Sequence, residues 1–313
     1  MKAIIDTDPG NDDAIGLMLA IASPEIDLLG VSTVAGNVPV ETTSRNARMI
    51  CELATSKPIP VFNGEAEPLR NPLVTAEEVH GRTGLEGIEI VEPRYPAQDR
   101  HAVDWIIETV LSNRGEVSIC VMGPMTNIAR AIEREPGLPK ALERIVVMGG
   151  SKFQGGNVTP MAEYNFYADP HAADIVFRSG SPIVLASLDA TFQARMDKDW
   201  IDRFSDLGAL GQAASKLMNV SYRFNHARYG GKFVPLHDPF TVAYLIRPKF
   251  FETKPVWVEI ETESPLCRGA SSIDWWQVTD KEPNCHAIFK VDADGYFDLI
   301  YSRIRRLAEG RGG

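Results

Sequence analysis

Four aspartates fall within eight residues close to the start of the chain, between one apolar run and the next. The residues Met1–Ile5 before them have the composition of a short buried strand, and Ala14–Ala22 after them that of an apolar helix. The acidic turn Asp6–Asp13 therefore lies at the carboxyl end of a strand, which is where ligands bind in open α/β sheets. A chain that begins in this way is constrained to start from a strand–turn–helix unit with a polar corner.

Helix capping explains only part of this charge. Asn11 is a suitable N-cap for the helix, and Asp12 and Asp13 then lie in its first turn, where the helix dipole favours negative charge. Two carboxylates about 5 Å apart repel each other by about 3 kcal/mol at an effective dielectric constant of about 20, so the cluster needs a counter-charge. Oxygen ligands favour Ca²⁺ or Mg²⁺ over zinc. The alternative is a capped helix with solvated acids, which the buried strand before them disfavours.

Short β-rich runs alternate with helical patterns along the rest of the chain. The predicted strands are Ala3–Asp6, Leu28–Ala35, Pro60–Phe62, Val117–Met122, Ile145–Met148, Ile183–Leu188 and Val256–Ile260. The predicted helices are Asn11–Ala22, Thr42–Leu53, Ala102–Ser112, Asn127–Arg134, Pro170–Arg178, Leu210–His226, Pro239–Ile246 and Asp292–Leu307. This alternation predicts an open, mostly parallel, twisted sheet with helices on both faces, which is a Rossmann-like α/β core.

The length of 313 residues fits one large α/β domain or two small ones. Because no internal repeat and no long Pro/Gly linker divides the sequence, we expect a single domain over residues 1–313, with a frayed tail at residues 309–313. The segment from residue 63 to residue 100 is long and poorly periodic. Long loops in compact domains are usually functional or mobile, so we expect this one to form a rim or lid of the active site.

Composition and charge exclude several classes of function. A net charge of -10 disfavours a nucleic-acid-binding surface, which needs a basic patch. No run reaches the roughly 18 apolar residues of a membrane helix, and a strand that begins by residue 3 leaves no room for a signal peptide. The scattered cysteines have no C-x-x-C spacing, which is typical of reduced thiols. We therefore expect a cytoplasmic protein.

Glycines and polar residues follow several of the predicted strands. Glycines end three strands, in Ala35–Asn37, Met122–Pro124 and Met148–Gly150, where they let the backbone approach a ligand closely. On an extended chain Glu163 and Asn165 point to the same side. A carboxylate beside an amide suits sugar hydroxyls, which both donate and accept hydrogen bonds. An exposed polar loop is an equally good interpretation of that segment.

Two histidines have a context that gives them a possible role. His237 precedes Asp238 and Pro239 at the start of a predicted helix. An aspartate followed by proline is a common helix start, so Asp238 is either a cap or a further oxygen ligand for the acidic turn. His80 lies in the long loop and is either exposed or part of the site.

Together these segments resemble the inosine-uridine-preferring nucleoside N-ribohydrolases. Asp6–Ala14 matches the family signature D-x-D-P-G-x-D-D-A. Further blocks follow in the family's order: Ala35–Asn37, His80-Gly81, Gly123–Ala129, Met148–Gly150, Gly156-Asn157, Ala162–Asn165 and His237–Pro239. The resemblance spans nearly the whole chain. It implies a calcium-dependent enzyme that cleaves the N-glycosidic bond of ribonucleosides, and a homo-oligomer that is a tetramer or a dimer.

The resemblance also implies three sets of site residues. The Ca²⁺ ligands would be Asp8, Asp13, Asp238 and the backbone carbonyl of Met122. The ribose would be bound by Asp12, Asn37, Met148, Asn157, Glu163 and Asn165. The residues facing the base would be His80, Tyr229 and His237, and Asp6 would support the site from behind.

A mechanism and a substrate class follow from the same resemblance. Asp8 would act as the general base for a water that attacks C1′, with an oxocarbenium-like transition state. His237 would protonate departing purines, and Tyr229 with His80 would serve pyrimidines. His80 and His237 stand where some purine-preferring relatives carry tryptophan, which favours a non-specific or pyrimidine-preferring enzyme. Tyr164 stands where relatives often carry phenylalanine.

Two other functions remain open from the sequence. Asp6-Thr7-Asp8 also resembles the D-x-D start of haloacid-dehalogenase-like phosphatases, in which the first aspartate is a nucleophile and the metal is Mg²⁺. The continuation Pro9–Asp13 fits that family poorly. The other possibility is a catalytically silent nucleoside- or ribose-binding protein, although all the expected ligand types are present.

Overall fold

The computed structural model describes residues 1–310, and the side chain of Tyr229 is outside the described part. In chain order the strands are β1 (Lys2–Thr7), β2 (Asp27–Thr33), β3 (Val61–Asn63), β4 (Val117–Val121), β5 (Arg144–Met148), β6 (Ile183–Ala186), β7 (Arg195–Met196), β8 (Val234–Pro235), β9 (Phe251–Val256), β10 (Val258–Ile260), β11 (Ser271–Ile273) and β12 (Cys285–Val291).

The α-helices fill most of the intervals between these strands. In chain order they are α1 (Asn11–Ile21), α2 (Val40–Ala54), α3 (Glu77–His80), α4 (Ala102–Ser112), α5 (Thr126–Arg134), α6 (Tyr164–Ala168), α7 (Pro170–Arg178), α8 (Leu188–Thr191), α9 (Lys198–Asp202), α10 (Gly208–Tyr229), α11 (Pro239–Ile246) and α12 (Ala293–Glu309). Residues 311–313, which belong to the expected frayed tail, lie outside the described residues.

An eight-stranded sheet forms the centre of the fold, in the order β3-β2-β1-β4-β5-β6-β12-β9. Neighbouring strands are parallel from β3 to β12, and only the edge strand β9 pairs antiparallel, with β12. The prediction of an open, mostly parallel α/β sheet is therefore confirmed. The chain runs outward from β1 through β2 to β3 and then returns to place β4 on the other side of β1. This reversal creates a topological switch point between β1 and β4.

Alternate side chains of the strands pack into two separate apolar cores, one on each face of the sheet. Ile5 of β1 and Val146 of β5 belong to the core that α1, α2, α10, α11 and α12 cover. Their neighbours Ile4 and Ile145 belong to the core that α4, α5 and α7 cover. Because both faces are buried, the strands are almost continuously apolar, as parallel sheets require. Within residues 1–310, none of the helices combines the length and apolarity needed to cross a bilayer.

The predicted helices over Ala102–Ser112, Pro170–Arg178 and Pro239–Ile246 have these same bounds in the structure. The prediction of one strand over Val256–Ile260 is wrong, because β9 ends at Val256 and β10 pairs with β11 in a separate small sheet. The side chain of Asn284 helps the chain to leave the central sheet after Val256. Its amide bonds both the N–H and the carbonyl of Val258, each at 2.8 Å, so the backbone there needs no strand partner from the central sheet.

Candidate active site

The carboxylate of Asp8 occupies the switch point between β1 and β4. The side chain is completely buried, and its Oδ2 accepts the backbone N–H of Asn37 at 2.7 Å. Its Oδ1 is also buried and has no hydrogen-bond partner among the residues that the structure describes. A Cβ atom on Gly36 or on Gly123 would collide with this carboxylate. The expectation that Gly36 and Gly123 let the backbone approach a ligand is therefore wrong, because the carboxylate of Asp8 fills the space beside them.

The carboxylate of Asp13 accepts hydrogen bonds from the acidic turn itself and from the segment after β2. Its Oδ1 accepts the hydroxyl of Thr7 at 2.6 Å, and its Oδ2 accepts the N–H of Gly10 at 3.0 Å and the side-chain amide of Asn37 at 3.2 Å. Gly10 is the N-cap residue of α1. The prediction of Asn11 as the N-cap is therefore wrong by one position, because Asp13 takes the Gly10 N–H and Asn11 becomes the first helical residue.

Asp238 reaches this turn from the far end of the chain. Oxygen atoms of Asp12, Asp13 and Asp238 lie within 4.8 Å of one another. Asp238 occupies the N-cap position of α11 but makes no capping hydrogen bond with its side chain. Of the two roles that the sequence left open, the structure shows that Asp238 joins the acidic cluster. Asp8 is not in this tight group of three, although the charge of Asp13 raises the pKa of Asp8 and the charge of Asp8 raises that of Asp238.

Burial is the largest cause of the pKa shifts of Asp8, Asp13 and Asp238. It raises the pKa of Asp8 and of Asp238 well above the ordinary carboxyl value, and the charges of neighbouring aspartates raise both further. Burial and then the charge of Asp12 raise the pKa of Asp13 as well. Such groups ionise together only when a cation compensates them. Because every donor is an oxygen and Asp8 Oδ1 has no partner within the described part of the chain, the residues fit a hard divalent cation.

Asp6 lies behind this cluster, inside β1. Its Oδ1 accepts the hydroxyl of Ser32 at 2.5 Å and the side-chain amide of Asn127 at 2.8 Å. Burial raises its pKa from 3.8 to about 7, although both hydrogen bonds oppose the shift. Asp6 is thus held by β2 and by α5, and it does not line the cavity described below.

Glu163 and Asn165 lie on the other side of the switch point, in a helix. The expectation of an extended segment is wrong, because Glu163 is the N-cap residue of α6 and Asn165 lies in its first turn. The carboxylate of Glu163 accepts the N–H groups of Asn165 at 2.8 Å and of Gly150 at 2.9 Å. Burial raises the pKa of Glu163 from 4.5 to about 7. The amide of Asn165 donates to the carbonyls of Met122 at 2.9 Å and Met148 at 3.1 Å.

Two histidines face the cavity from opposite elements. Nδ1 of His80 accepts the N–H of Asn11 at 3.1 Å, so in neutral His80 the proton lies on Nε2. Nδ1 of His237 is 2.7 Å from the hydroxyl of Thr191, and its ring packs edge-on against Phe192. Burial lowers the pKa of His237, while the nearby charge of Asp12 opposes this effect. Tyr229 is the last residue of α10, and its side chain is outside the described part.

One cavity brings most of the predicted residues together. The predicted residues that line it are Asp12, Asn37, His80, Met122, Met148, Asn157, Glu163, Asn165, His237 and Asp238. Asp6, Asp8 and Asp13 lie behind its wall and are not among the lining residues.

Sequence reasoning missed Phe192, Ser221 and Phe224 in the cavity wall. From the sequence, Asn225 and Arg228 either line the mouth of a pocket or face solvent, and the structure shows that they line the cavity. Ser221, Phe224, Asn225 and Arg228 do so from one face of α10. Their spacing of three and four residues is the signal that could have found them, because such positions share a helix face. Phe192 carries no comparable signal. Residues 75–80 of the long loop also line the cavity, apart from Glu77, in agreement with the expected rim.

Comparisons with known proteins show which proteins this chain is similar to. The model of the family "Inosine-uridine preferring nucleoside hydrolase" matches residues 3–298. An uncharacterised protein of Schizosaccharomyces pombe is 44% identical over 309 residues, covering 98% of this chain and 100% of the relative. The pyrimidine-specific ribonucleoside hydrolase RihA of Salmonella paratyphi B is 38% identical over 310 residues, covering 98% and 99%. A purine-preferring ribonucleoside hydrolase from Gardnerella vaginalis has a similar structure, with a TM-score of 0.93 at 30% identity and 99% coverage of both chains.

The raised carboxyl pKa values predict that the metal-free protein loses stability as the pH rises. Between their ordinary values and about 7, Asp6 and Glu163 hold protons in the folded state that the unfolded chain releases. Their stabilising effect is therefore complete at low pH and is lost as the pH rises through about 7. These shifts correspond to about 4 kcal/mol for Asp6 and about 3 kcal/mol for Glu163.

Urea unfolding in the presence of EDTA, from about pH 5 to about pH 8, measures this effect. We expect the free energy of unfolding to fall across this window. It should fall less steeply for Glu163→Gln, whereas Glu133→Gln on the surface of α5 should behave like the unmodified protein. A free energy of unfolding that rises across the window contradicts the prediction.

Proposed function

Because the chain belongs to the inosine-uridine preferring nucleoside hydrolase family, we propose that it hydrolyses ribonucleosides to ribose and free base with the help of a bound Ca²⁺. One observation carries the proposal. Buried carboxylates from the acidic turn and from the start of α11 lie close together at the base of a cavity. The other walls of this cavity carry amides and histidines. The family match favours this activity over the phosphatase that the D-x-D start also suggested.

The metal site would use Asp13 and Asp238, whose oxygen atoms lie within 4.8 Å of each other, together with two further oxygen atoms from the ends of β1 and β4. We propose Asp8, Asp13, Asp238 and the carbonyl of Met122 as its ligands. When bound, Ca²⁺ would chelate the ribose 2′- and 3′-hydroxyls and hold the attacking water beside C1′. The raised pKa values of the three aspartates support this assignment, because a cation is what would allow them to ionise together.

The ribose would be held by the residues around this metal site. Asp12, Asn37 and Asn165 would bind the 2′- and 3′-hydroxyls, Asn157 and Glu163 the 5′-hydroxyl, and Met148 would pack against the sugar. Several of these groups are fixed before substrate arrives. The amide of Asn165 bonds two backbone carbonyls, and Oδ1 of Asn157 accepts the N–H of Tyr164 at 2.9 Å. Such fixed geometry reduces the entropy that binding must overcome.

Asp8 is the proposed general base. Its Oδ2 is fixed by the N–H of Asn37, while its Oδ1 has no partner among the described residues and can accept a proton from water. As the base departs, positive charge develops on the sugar ring. The ionised carboxylate of Asp8, which Asn37 holds in a buried position, would stabilise that charge, as would the carboxylate of Asp12 in the cavity wall.

His237 is the proposed acid for the departing base, with Tyr229 and His80 assisting pyrimidines. Burial lowers the pKa of His237, so a smaller fraction is protonated at neutral pH than in an ordinary histidine. That fraction is a stronger acid than ordinary histidine and transfers its proton more readily. The contact between Nδ1 and Thr191 directs the other ring nitrogen away from that wall.

The substrate preference is proposed from the base side of the cavity. Both His80 and His237 line it, which favours a non-specific or pyrimidine-preferring enzyme acting on uridine, cytidine and inosine. The relative from Salmonella is named pyrimidine-specific, and that from Gardnerella purine-preferring. We further propose that the protein acts in the cytoplasm as a homotetramer or homodimer, as the family resemblance implies, within a single domain.

Removal of metal should abolish activity. Treatment with EDTA should stop hydrolysis of uridine, cytidine, inosine and adenosine, and added Ca²⁺ should restore it and raise the melting temperature, because a ligand that binds only the folded state stabilises it. Release of reducing sugar measures the activity. Full activity in EDTA, or restoration by Mg²⁺ but not by Ca²⁺, contradicts the calcium assignment.

Asp8→Asn should lower kcat for every nucleoside by at least about 100-fold, because the amide cannot accept the proton of water. Steady-state kinetics at saturating Ca²⁺ measure the loss. Asp27→Asn, at the opposite end of the sheet, is the control and should retain full activity. If Asp8→Asn keeps more than about a tenth of kcat, Asp8 is not the general base.

His237→Ala should reduce hydrolysis of inosine by about 100-fold and that of p-nitrophenyl riboside hardly at all, because p-nitrophenolate leaves without protonation. Parallel assays of kcat/KM on the two substrates test this. His286→Ala, in an exposed position of β12, serves as the control. An equal loss on both substrates refutes the role of His237 as an acid.

A further inference from the structure

The side chain of Tyr164 connects two walls of the cavity. Tyr164 is the first residue of α6, and it lines the cavity beside Glu163 and Asn165. Its hydroxyl donates a hydrogen bond of 2.8 Å to the carbonyl of Val74, which lies 90 residues earlier in the chain. Val74 begins the segment that ends at His80. A hydroxyl on the ribose-binding side thus holds the backbone of the wall that carries a base-facing histidine.

Residues 74–80 also make two hydrogen bonds and an ion pair with other elements around the cavity. The N–H of Ala76 donates to the carbonyl of Asn37 at 3.0 Å, and Nδ1 of His80 accepts the N–H of Asn11 at 3.1 Å. Both of these partners belong to the side of the cavity formed by the acidic turn and the end of β2. An ion pair of 3.4 Å joins Glu78 to Arg228 of α10, and its groups are exposed. Exposed pairs of this kind contribute little.

Tyr164 is itself held in a fixed position. Its backbone N–H donates to Oδ1 of Asn157 at 2.9 Å, and it directly follows the N-cap carboxylate of Glu163. One residue further along the same short helix, Asn165 bonds the carbonyl of Met122. The phenol therefore projects from a helix that is attached to the proposed metal and ribose site.

We propose that Tyr164 is a positioning residue, whose hydroxyl fixes residues 74–80 so that His80 is already in place when a nucleoside binds. This role rests on the proposed function. A phenylalanine would fill the same space and keep every other contact of the ring, but it would leave the carbonyl of Val74 without this donor. The bound nucleoside would then have to order the wall itself, which weakens binding without changing the chemical step.

Tyr164→Phe tests the proposal in the Ca²⁺-loaded enzyme. We expect KM for uridine and inosine to rise about fivefold, which is the effect of losing one hydrogen bond, with kcat changed by less than about twofold. We also expect faster amide hydrogen exchange in the peptide that contains residues 74–80. Tyr301→Phe, on α12 and packed against Phe204, is the matched control and should change neither quantity.

The outcomes separate this proposal from the function on which it rests. An unchanged KM overturns the role of Tyr164, and so does a kcat that changes by more than about twofold. Unchanged amide hydrogen exchange in residues 74–80 also overturns the role of Tyr164, and this measurement does not depend on enzyme activity. Failure of the unmodified enzyme to hydrolyse any nucleoside would instead refute the proposed function.

Discussion

The burial of mutually repelling carboxylates at the carboxyl end of β1 is the constraint on which the rest of the site depends. Asp8, Asp13 and Asp238 are almost completely inaccessible to solvent, and burial raises the pKa of each. A protein interior disfavours such charges unless other groups compensate them. The surrounding backbone and amide donors supply part of this compensation, and a bound cation would supply the remainder.

The fold supplies these donors through its topology. At the switch point, the loops after β1 and β2 turn to opposite sides from those after β4 and β5, which leaves a crevice at the strand ends. Asn37 follows β2 and bonds both Asp8 and Asp13, while Asn165 bonds the carbonyls that end β4 and β5. Two asparagines thus hold the two sides of the crevice, and the acidic turn lies between them.

The sequence predicted the features that local patterns encode. Apolar runs and helix caps sufficed for the parallel sheet and for the helix that begins at Pro239. The strand β12 was not predicted, although only His286 and Lys290 among its residues are polar and its pattern is compatible with a strand. The meeting of Asp238 with Asp13 depends on the packing of α11 against α1, and spacing alone does not encode it. The family resemblance, rather than the residue pattern, placed Asp238 in the site.

The two glycines that flank Asp8 have a consequence for how this family can vary. Positions 36 and 123 belong to different loops, yet a methyl group at either one would compete with the same carboxylate for space. A larger residue at either position would therefore force the carboxylate of Asp8 to move away from its present contacts. In a newly sequenced homologue, loss of either glycine would signal a rearranged acidic turn even where every acidic residue is retained.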